Sequence, residues 1–156
     1  MRCAVQSVWS RRRLLGTSLF GTVEAMELVP RVRLTPVPDD GIFVVRGDEL
    51  DAALLAEDAQ LFHERFSGWG RYGISAFYAA NDEEVDALCG SRLVRFAEVV
   101  VFRRADLERI GIEIVPTFRT PHVTLCHPEL PELVRRLLNC ERSERLNPYH
   151  VAEEGG

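Results

Sequence analysis

An arginine at the end of an apolar segment is the first candidate for ligand binding. Arg46 follows the apolar residues 42–45 and precedes Gly47. A guanidinium can hold a phosphate or a carboxylate through its fork of N–H donors, and glycine lets a ligand approach the backbone closely. The alternative is a structural ion pair with a neighbouring acid, such as Asp48 or Glu98, because a buried charge is costly without a partner.

A serine in a second apolar segment is the next candidate. Ser75 lies within residues 72–79, where alternation places it on one strand face with Phe77 and places Tyr78 on the other. A hydroxyl can orient a sugar hydroxyl, and a nearby aromatic ring can stack on a planar ligand. The alternative is ordinary strand packing, with the serine bonded to the backbone.

The third candidate is a histidine and a threonine two positions apart. His122 and Thr124 share one face of a predicted strand, and Arg119 could reach the same place from the preceding proline-bounded loop. Such a pair can bind a phosphoryl oxygen, with the histidine acting as an acid or base near neutral pH. The alternative is a histidine at the solvent edge beside a structural threonine.

No metal site is predicted. Cys126 and His127 are adjacent in a strand and so point to opposite faces. The cysteines Cys3, Cys89, Cys126 and Cys140 form no C-x-x-C pair. We therefore expect buried free thiols in a reducing compartment.

The elements that position these residues indicate one α+β domain over residues 26–147, with a single mixed sheet. Capping residues predict helix starts at Asp48 or Asp51 and at Asn81 with Glu84. The element order is roughly β-α-β-α-β-α-β-β-α. Apolar, β-branched runs predict strands at residues 42–45, 72–79, 97–102, 112–115 and 122–126.

The two ends differ from this domain. Residues 1–25 are rich in arginine and are predicted to lie outside the fold, and residues 148–156 are predicted to be an acidic, disordered tail. The simplest explanation is that translation starts at Met26 and the protein is cytoplasmic. The alternative is export through a twin-arginine signal built on Arg11, Arg12 and Arg13. N-terminal sequencing of the native protein distinguishes the two.

Composition excludes several classes of function. The 19 basic residues are all arginine, so catalysis by lysine and a Walker-type lysine are excluded. The net charge of −5 divides into +3 for residues 1–25 and −8 for the remainder, which disfavours nucleic acid as a partner. No apolar run is long enough to cross a bilayer.

Residues 42–126 resemble a small ADP-ribosyltransferase-like domain. A first strand ends in Arg46-Gly47, a second carries Gly73-Ile74-Ser75, a helix with an acidic start follows, and then comes the apolar strand with Val99-Val100-Val101. The resemblance implies a glycosyltransferase that uses NAD as a substrate and has no tightly bound cofactor. Such domains include small toxins, so a toxin is one form that the implied enzyme takes.

The resemblance also implies a role for each matching residue. Arg46 would hold the NAD phosphate or ribose, Ser75 would orient the nicotinamide ribose, and Tyr78 would flank the nicotinamide. Arg119 and Thr124 would line the same pocket. The late glutamate of that family is not matched, since His122 stands where it is expected.

Two alternatives stay open. Residues 121–125 are similar to half of the 2H phosphoesterase signature, whose second half is missing because His150 lacks the following hydroxyl residue. The other alternative is a non-catalytic module that binds or regulates a protein partner. A shared cleft for Arg46, Ser75 and His122 favours an enzyme, whereas a contiguous apolar surface favours the module.

Overall fold

The strands form two separate antiparallel sheets. The computed structural model describes residues 10–18 and 21–152. The strands are β1 (Ser10–Ser18), β2 (Gly21–Val29), β3 (Phe43–Gly47), β4 (Tyr72–Ala79), β5 (Glu98–Arg103), β6 (Glu113–Pro116), β7 (His122–His127) and β8 (Arg142–Leu146). The helices are α1 (Ala52–Arg65), α2 (Asp82–Cys89), α3 (Arg104–Arg109) and α4 (Leu130–Asn139), and a 3₁₀ turn covers Ser67–Trp69.

The six-stranded sheet has the order β6-β7-β4-β3-β5-β8, and every neighbouring pair is antiparallel, so it is not the mixed sheet that was predicted. The predicted α+β class is confirmed, and from β3 onward the elements follow the predicted order as far as α4. Strands β1 and β2 are missing from the prediction, and so is β8. Its sequence, Arg-Ser-Glu-Arg-Leu, carries no apolar alternation, because it lies at the edge of the sheet and its side chains are largely exposed.

Local capping chemistry sets two helix starts as predicted. The carboxylate of Asp51 accepts a hydrogen bond from the Leu54 N–H at 3.0 Å and begins α1. At α2, the Asn81 side chain accepts from the Glu84 N–H at 2.9 Å, and the Glu84 carboxylate accepts from the Ala80 N–H at 2.7 Å. These bonds satisfy N–H groups that have no partner inside the helix.

Alternation along the strands gives the sheet two buried faces. The first face packs with residues of α1, α3 and α4, and it includes Val44, Ile74, Ala76, Val100, Phe102, Val123 and Leu125. The second face packs with α2 and the segment after it, and it includes Val45, Ala79, Val99 and Val101. Residues with odd numbers in β3 and β4 thus face the second side of the sheet.

The segments flanking the sheet make specific contacts. Strands β1 and β2 pair only with each other among the described strands, and residue 26, the predicted boundary of the domain, lies within β2. Residues 148–152, predicted as part of a loose tail, contact α2 and the segment after it: the Tyr149 hydroxyl donates to Asp86 of α2 at 2.7 Å, and the Val151 N–H donates to the carbonyl of Val94, which follows α2. Residues 153–156 lie outside the described residues.

None of the described helices has the length and apolar character that a bilayer crossing requires.

Candidate functional site

Arg46 is buried and held by groups of the fold. Its residue exposure is 7%, and its Nη2 atom donates to the carboxylate of Asp58 on α1 at 2.6 Å. Its Nη1 atom lies 3.5 Å from the backbone oxygen of Ser75. The ion-pair partner is therefore an acid twelve residues away, rather than Asp48 or Glu98.

The arginine occupies the place where two neighbouring strands part. Pairing between β3 and β4 ends at Val45 and Phe77, whereas β3 stays paired with β5 through Gly47. The guanidinium of Arg46 reaches the Ser75 carbonyl just beyond the last pair. The guanidinium is thus a hydrogen-bond donor to a carbonyl that lies beyond the last residue pair of β3 and β4.

Gly47 provides room for a side chain of the protein itself. A Cβ atom on this residue would lie 2.1 Å from the ring of Phe96, far inside van der Waals contact. The glycine was predicted to let a ligand approach the backbone. In the structure, the ring of Phe96 packs there instead.

Ser75 and Tyr78 lie on opposite faces of β4. Ser75 is exposed, on the face that also carries Phe77. Tyr78 packs against the first buried face, together with the helices. The two side chains therefore cannot flank the same ring of a ligand in this structure.

His122 forms a buried polar cluster with two threonines. Its Nδ1 atom lies 2.8 Å from Oγ1 of Thr117, which lies 2.6 Å from Oγ1 of Thr124. The rings of Phe77 and Phe118 pack against the imidazole, with centroid distances of 5.3 and 5.0 Å. The sequence placed His122 and Thr124 on one face, and the strand register agrees: they are opposite Phe77 and Ser75 of β4.

Burial lowers the pKa of His122 to about 4, because the charged imidazolium loses its hydration. A hydrogen bond with the backbone of Thr117 raises the pKa in part, and the nearby charges of Arg33 and Arg92 lower it further. The Nε2 atom is buried and makes no hydrogen bond within the described part of the chain. At neutral pH the side chain is therefore an uncharged, enclosed imidazole.

Arg33 closes this cluster from the segment before β3. Its Nη1 atom donates to the carbonyl oxygens of Thr117 at 2.6 Å and His122 at 2.8 Å. Arg119 is exposed, and its carbonyl accepts from the His122 N–H at 2.8 Å across the turn that contains the cis Thr120–Pro121 bond. The arginine that reaches the cluster is thus Arg33 and not the predicted Arg119.

The candidates do not meet at one face of the sheet. Val45 is paired with Phe77, and Phe77 with His122, so these three residues share a face. Arg46 follows Val45 and so points to the other face, opposite Val100. The structure brings His122 and Thr124 together and brings Arg46 to the backbone of Ser75. It does not bring Arg46 and His122 into one cleft.

The structure also shows where the cysteines and His150 lie. Cys89, Cys126 and Cys140 are free and buried, as predicted, and burial raises the pKa of each thiol; Cys3 lies outside the described residues. His150 is exposed after β8. Within residues 10–18 and 21–152, no group of three or more potential metal ligands is clustered.

An open groove is lined by none of the predicted site residues. It has a volume of about 490 Å³ and is lined mainly by apolar atoms. Its lining residues are Ala56 of α1 and Leu130, Pro131, Val134, Arg135, Leu138 and Asn139 of α4.

Comparison with protein-family models, with curated proteins and with solved structures gives no match.

Several residues of these sites were not predicted. Asp58 and Arg33 were missed because both pairings join elements that are distant along the chain. The groove had a signal in the sequence, since Leu130, Val134 and Leu138 recur at intervals of four residues. They form a second apolar stripe beside the buried Leu133 and Leu137.

Proposed function

We propose that this domain is a non-catalytic binding module that holds an amphipathic helix of a partner protein in the groove between α1 and α4. The observation that carries the proposal is the second apolar stripe of α4. Leu133 and Leu137 are already fully buried against the sheet, yet Leu130, Val134 and Leu138 line an open groove. A helix with apolar residues at matching intervals fills such a groove.

The charge at the groove specifies the partner further. Arg135 is the charged residue of the lining, and its side chain is 60% exposed. Arg135 and Arg136 both form ion pairs with Glu132, so two guanidinium groups and one carboxylate give this side of the groove a net positive charge. A partner helix with acidic residues beside its apolar stripe therefore fits better than a basic one.

The buried polar residues support a module rather than an enzyme. Arg46 is committed to Asp58 and to the Ser75 carbonyl, and the imidazole of His122 is enclosed by Thr117 and two aromatic rings. Both side chains act inside the fold. A catalytic acid or base needs to reach the proton that it transfers.

A binding titration with a synthetic helical peptide tests the proposal. The peptide carries leucines at intervals of three and four residues and glutamates along the flanks. We expect amide resonances of α1 and α4 to shift in the NMR spectrum of the protein, and Arg135→Glu to weaken binding about tenfold, or ~1.4 kcal/mol. Val134→Asp should abolish binding, whereas Val151→Asp, at an exposed position elsewhere, should not change it.

The outcome that contradicts the proposal is equally specific. The proposed binding site is rejected if the peptide shifts amide resonances outside α1 and α4, or if Val134→Asp and wild type bind the peptide with equal affinity. Because Val134 is partly buried, the folded state of that variant is checked by its amide spectrum before the titration. Arg135→Glu is a second, largely exposed position and keeps the test valid if Val134→Asp unfolds.

The ADP-ribosyltransferase-like enzyme is the second candidate. The observation in its favour is that the Arg46 guanidinium lies 3.5 Å from the backbone oxygen of Ser75, so two residues that match the resemblance are neighbours, although their side chains point to opposite faces of the sheet. Incubation with NAD, followed by measurement of released nicotinamide, decides between the two. The module releases none. Release that is lost in both Arg46→Met and Ser75→Ala would support the enzyme.

A further inference from the structure

The two edges of the six-stranded sheet differ. The outer edge of β6 is covered by the segment before β3: Val32 forms a bridge with Thr117, and the Arg33 N–H donates to the Pro116 carbonyl at 2.8 Å. The outer edge of β8 has no strand beside it among the described residues. An uncovered edge offers unpaired backbone donors and acceptors to another strand.

The backbone register shows which groups of β8 point outward. The Asn147 N–H donates inward to the Ala97 carbonyl at 2.8 Å. Because donors and acceptors alternate along an antiparallel strand, residues 145 and 143 also face β5. The N–H and C=O groups of residues 142, 144 and 146 therefore point away from the sheet.

The charges of this edge are complementary to themselves. Residues 141–145 read Glu-Arg-Ser-Glu-Arg. If two copies pair antiparallel about Ser143, Arg142 lies opposite Glu144 of the second copy, and Glu141 lies opposite Arg145 of the second copy. Pairing about residue 142 or residue 144 instead places like charges opposite each other.

The same register satisfies the backbone. With Ser143 opposite itself as a non-hydrogen-bonded pair, residues 142 and 144 of the two copies become the hydrogen-bonded pairs. These are the residues whose backbone groups point outward. The side chains of Glu144 and Leu146 are 61% and 79% exposed. The Arg142 side chain is 25% exposed, and its Nη1 atom donates to the carbonyl oxygens of Leu138 and Cys140 in its own chain, so it meets the second copy from a position that the fold already holds.

We propose that the protein forms a symmetric dimer in which β8 pairs antiparallel with β8 of a second copy about Ser143, which joins the two sheets into one of twelve strands. The dimer is isologous, since the same strand contributes both sides of the interface. The paired residues are not among those that line the groove of α1 and α4, although Arg142 donates to the backbone carbonyl of the groove residue Leu138. The proposal does not rest on the proposed function. A contact limited to one strand and its side chains predicts a weak dimer.

Sedimentation equilibrium over protein concentrations from about 1 μM to about 1 mM tests the pairing. Wild type should shift from monomer to dimer across this range. Glu144→Pro removes an N–H that points outward and is not used by β5, so it should abolish the dimer and leave the fold intact. Arg142→Glu should weaken the dimer about tenfold or more, because it sets two carboxylates against each other on both sides of the axis.

The control exchanges the charges. Arg142→Glu combined with Glu144→Arg restores opposite charges across the axis, and it should restore the dimer. Arg142 also pairs with Glu144 of its own chain at 3.2 Å, so unfolding of each variant is measured at the lowest concentration, where the monomer dominates. A monomer at every concentration, a dimer that survives Glu144→Pro, or a double variant as weak as Arg142→Glu would each overturn the proposal.

Discussion

Lowering the pH from 6.5 to 4 should remove about 3 kcal/mol from the unfolding free energy through His122 alone. The unfolded chain binds a proton near pH 6.5, whereas the pKa of the buried imidazole is about 4. The folded state therefore binds fewer protons in this window, and stability falls as the pH falls. Well above pH 6.5 both states are neutral at this residue, and well below pH 4 both are charged and the loss is complete.

Denaturant unfolding at a series of pH values measures this effect. Carboxylates also titrate in the acid range, so the quantity to compare is the difference in pH dependence between wild type and His122→Asn. Asparagine keeps a polar atom near Thr117 but does not titrate. His63→Asn is the matched control, because His63 is only partly buried and stacks on Tyr72 near the C-terminal end of α1. Identical pH slopes for wild type and His122→Asn would show that His122 is not enclosed as described.

Removal of Asp58 should destabilise the fold by about 2 kcal/mol, because it leaves the guanidinium of Arg46 buried without a counter-charge. Loss of one partner of a fully buried pair costs more, but the side chain of Asp58 is 51% exposed, and water screens the pair in part. The remaining contact of the guanidinium is the Ser75 carbonyl at 3.5 Å. The midpoint of urea unfolding measures the change.

A double variant separates this cause from a general effect on α1. Arg46→Met together with Asp58→Ala removes both charges and keeps an unbranched chain in the core, so its stability should return to within about 1 kcal/mol of wild type. Glu57→Ala, at the neighbouring exposed position of α1, should change stability by less than about 0.5 kcal/mol. If the double variant is less stable than Asp58→Ala, the stranded charge is not the reason for the loss.

The same variants bear on function. If Arg46 held the phosphates of NAD, millimolar NAD should restabilise Asp58→Ala, because the ligand would replace the lost carboxylate. If Arg46 serves only the fold, NAD should leave the unfolding midpoint unchanged. The nicotinamide assay and this stability assay thus address the second candidate through independent readouts.

The elements with local causes were predictable. The strand at residues 72–79 and the caps at Asp51 and Asn81 agree with the structure, because alternation and capping depend on neighbours a few positions away. Strand β8 was not predictable in this way. It is a strand because its backbone pairs with β5, not because its side chains are buried.

The candidate site residues also show this difference between local features and contacts between distant residues. The alternation of His122 and Thr124 followed from sequence, and the register confirms that they share a face. The partners of these residues did not follow. Thr117 reaches His122 through the β6–β7 pairing, and Asp58 reaches Arg46 because α1 packs on the face of the sheet to which Arg46 points.

By itself, the sequence determined a lysine-free, acidic α+β chain, the approximate limits of its central strands and helices, and which side chains share a strand face. Only the tertiary structure decided that Arg46 and His122 lie on opposite sides of one sheet. It also decided that one sheet edge is covered while the other has no strand beside it among the described residues, and that a second apolar stripe of α4 is only partly covered. The physical reason is that alternation and capping act within a few residues. Strand order, counter-charges and covered edges arise from contacts between residues far apart in the chain.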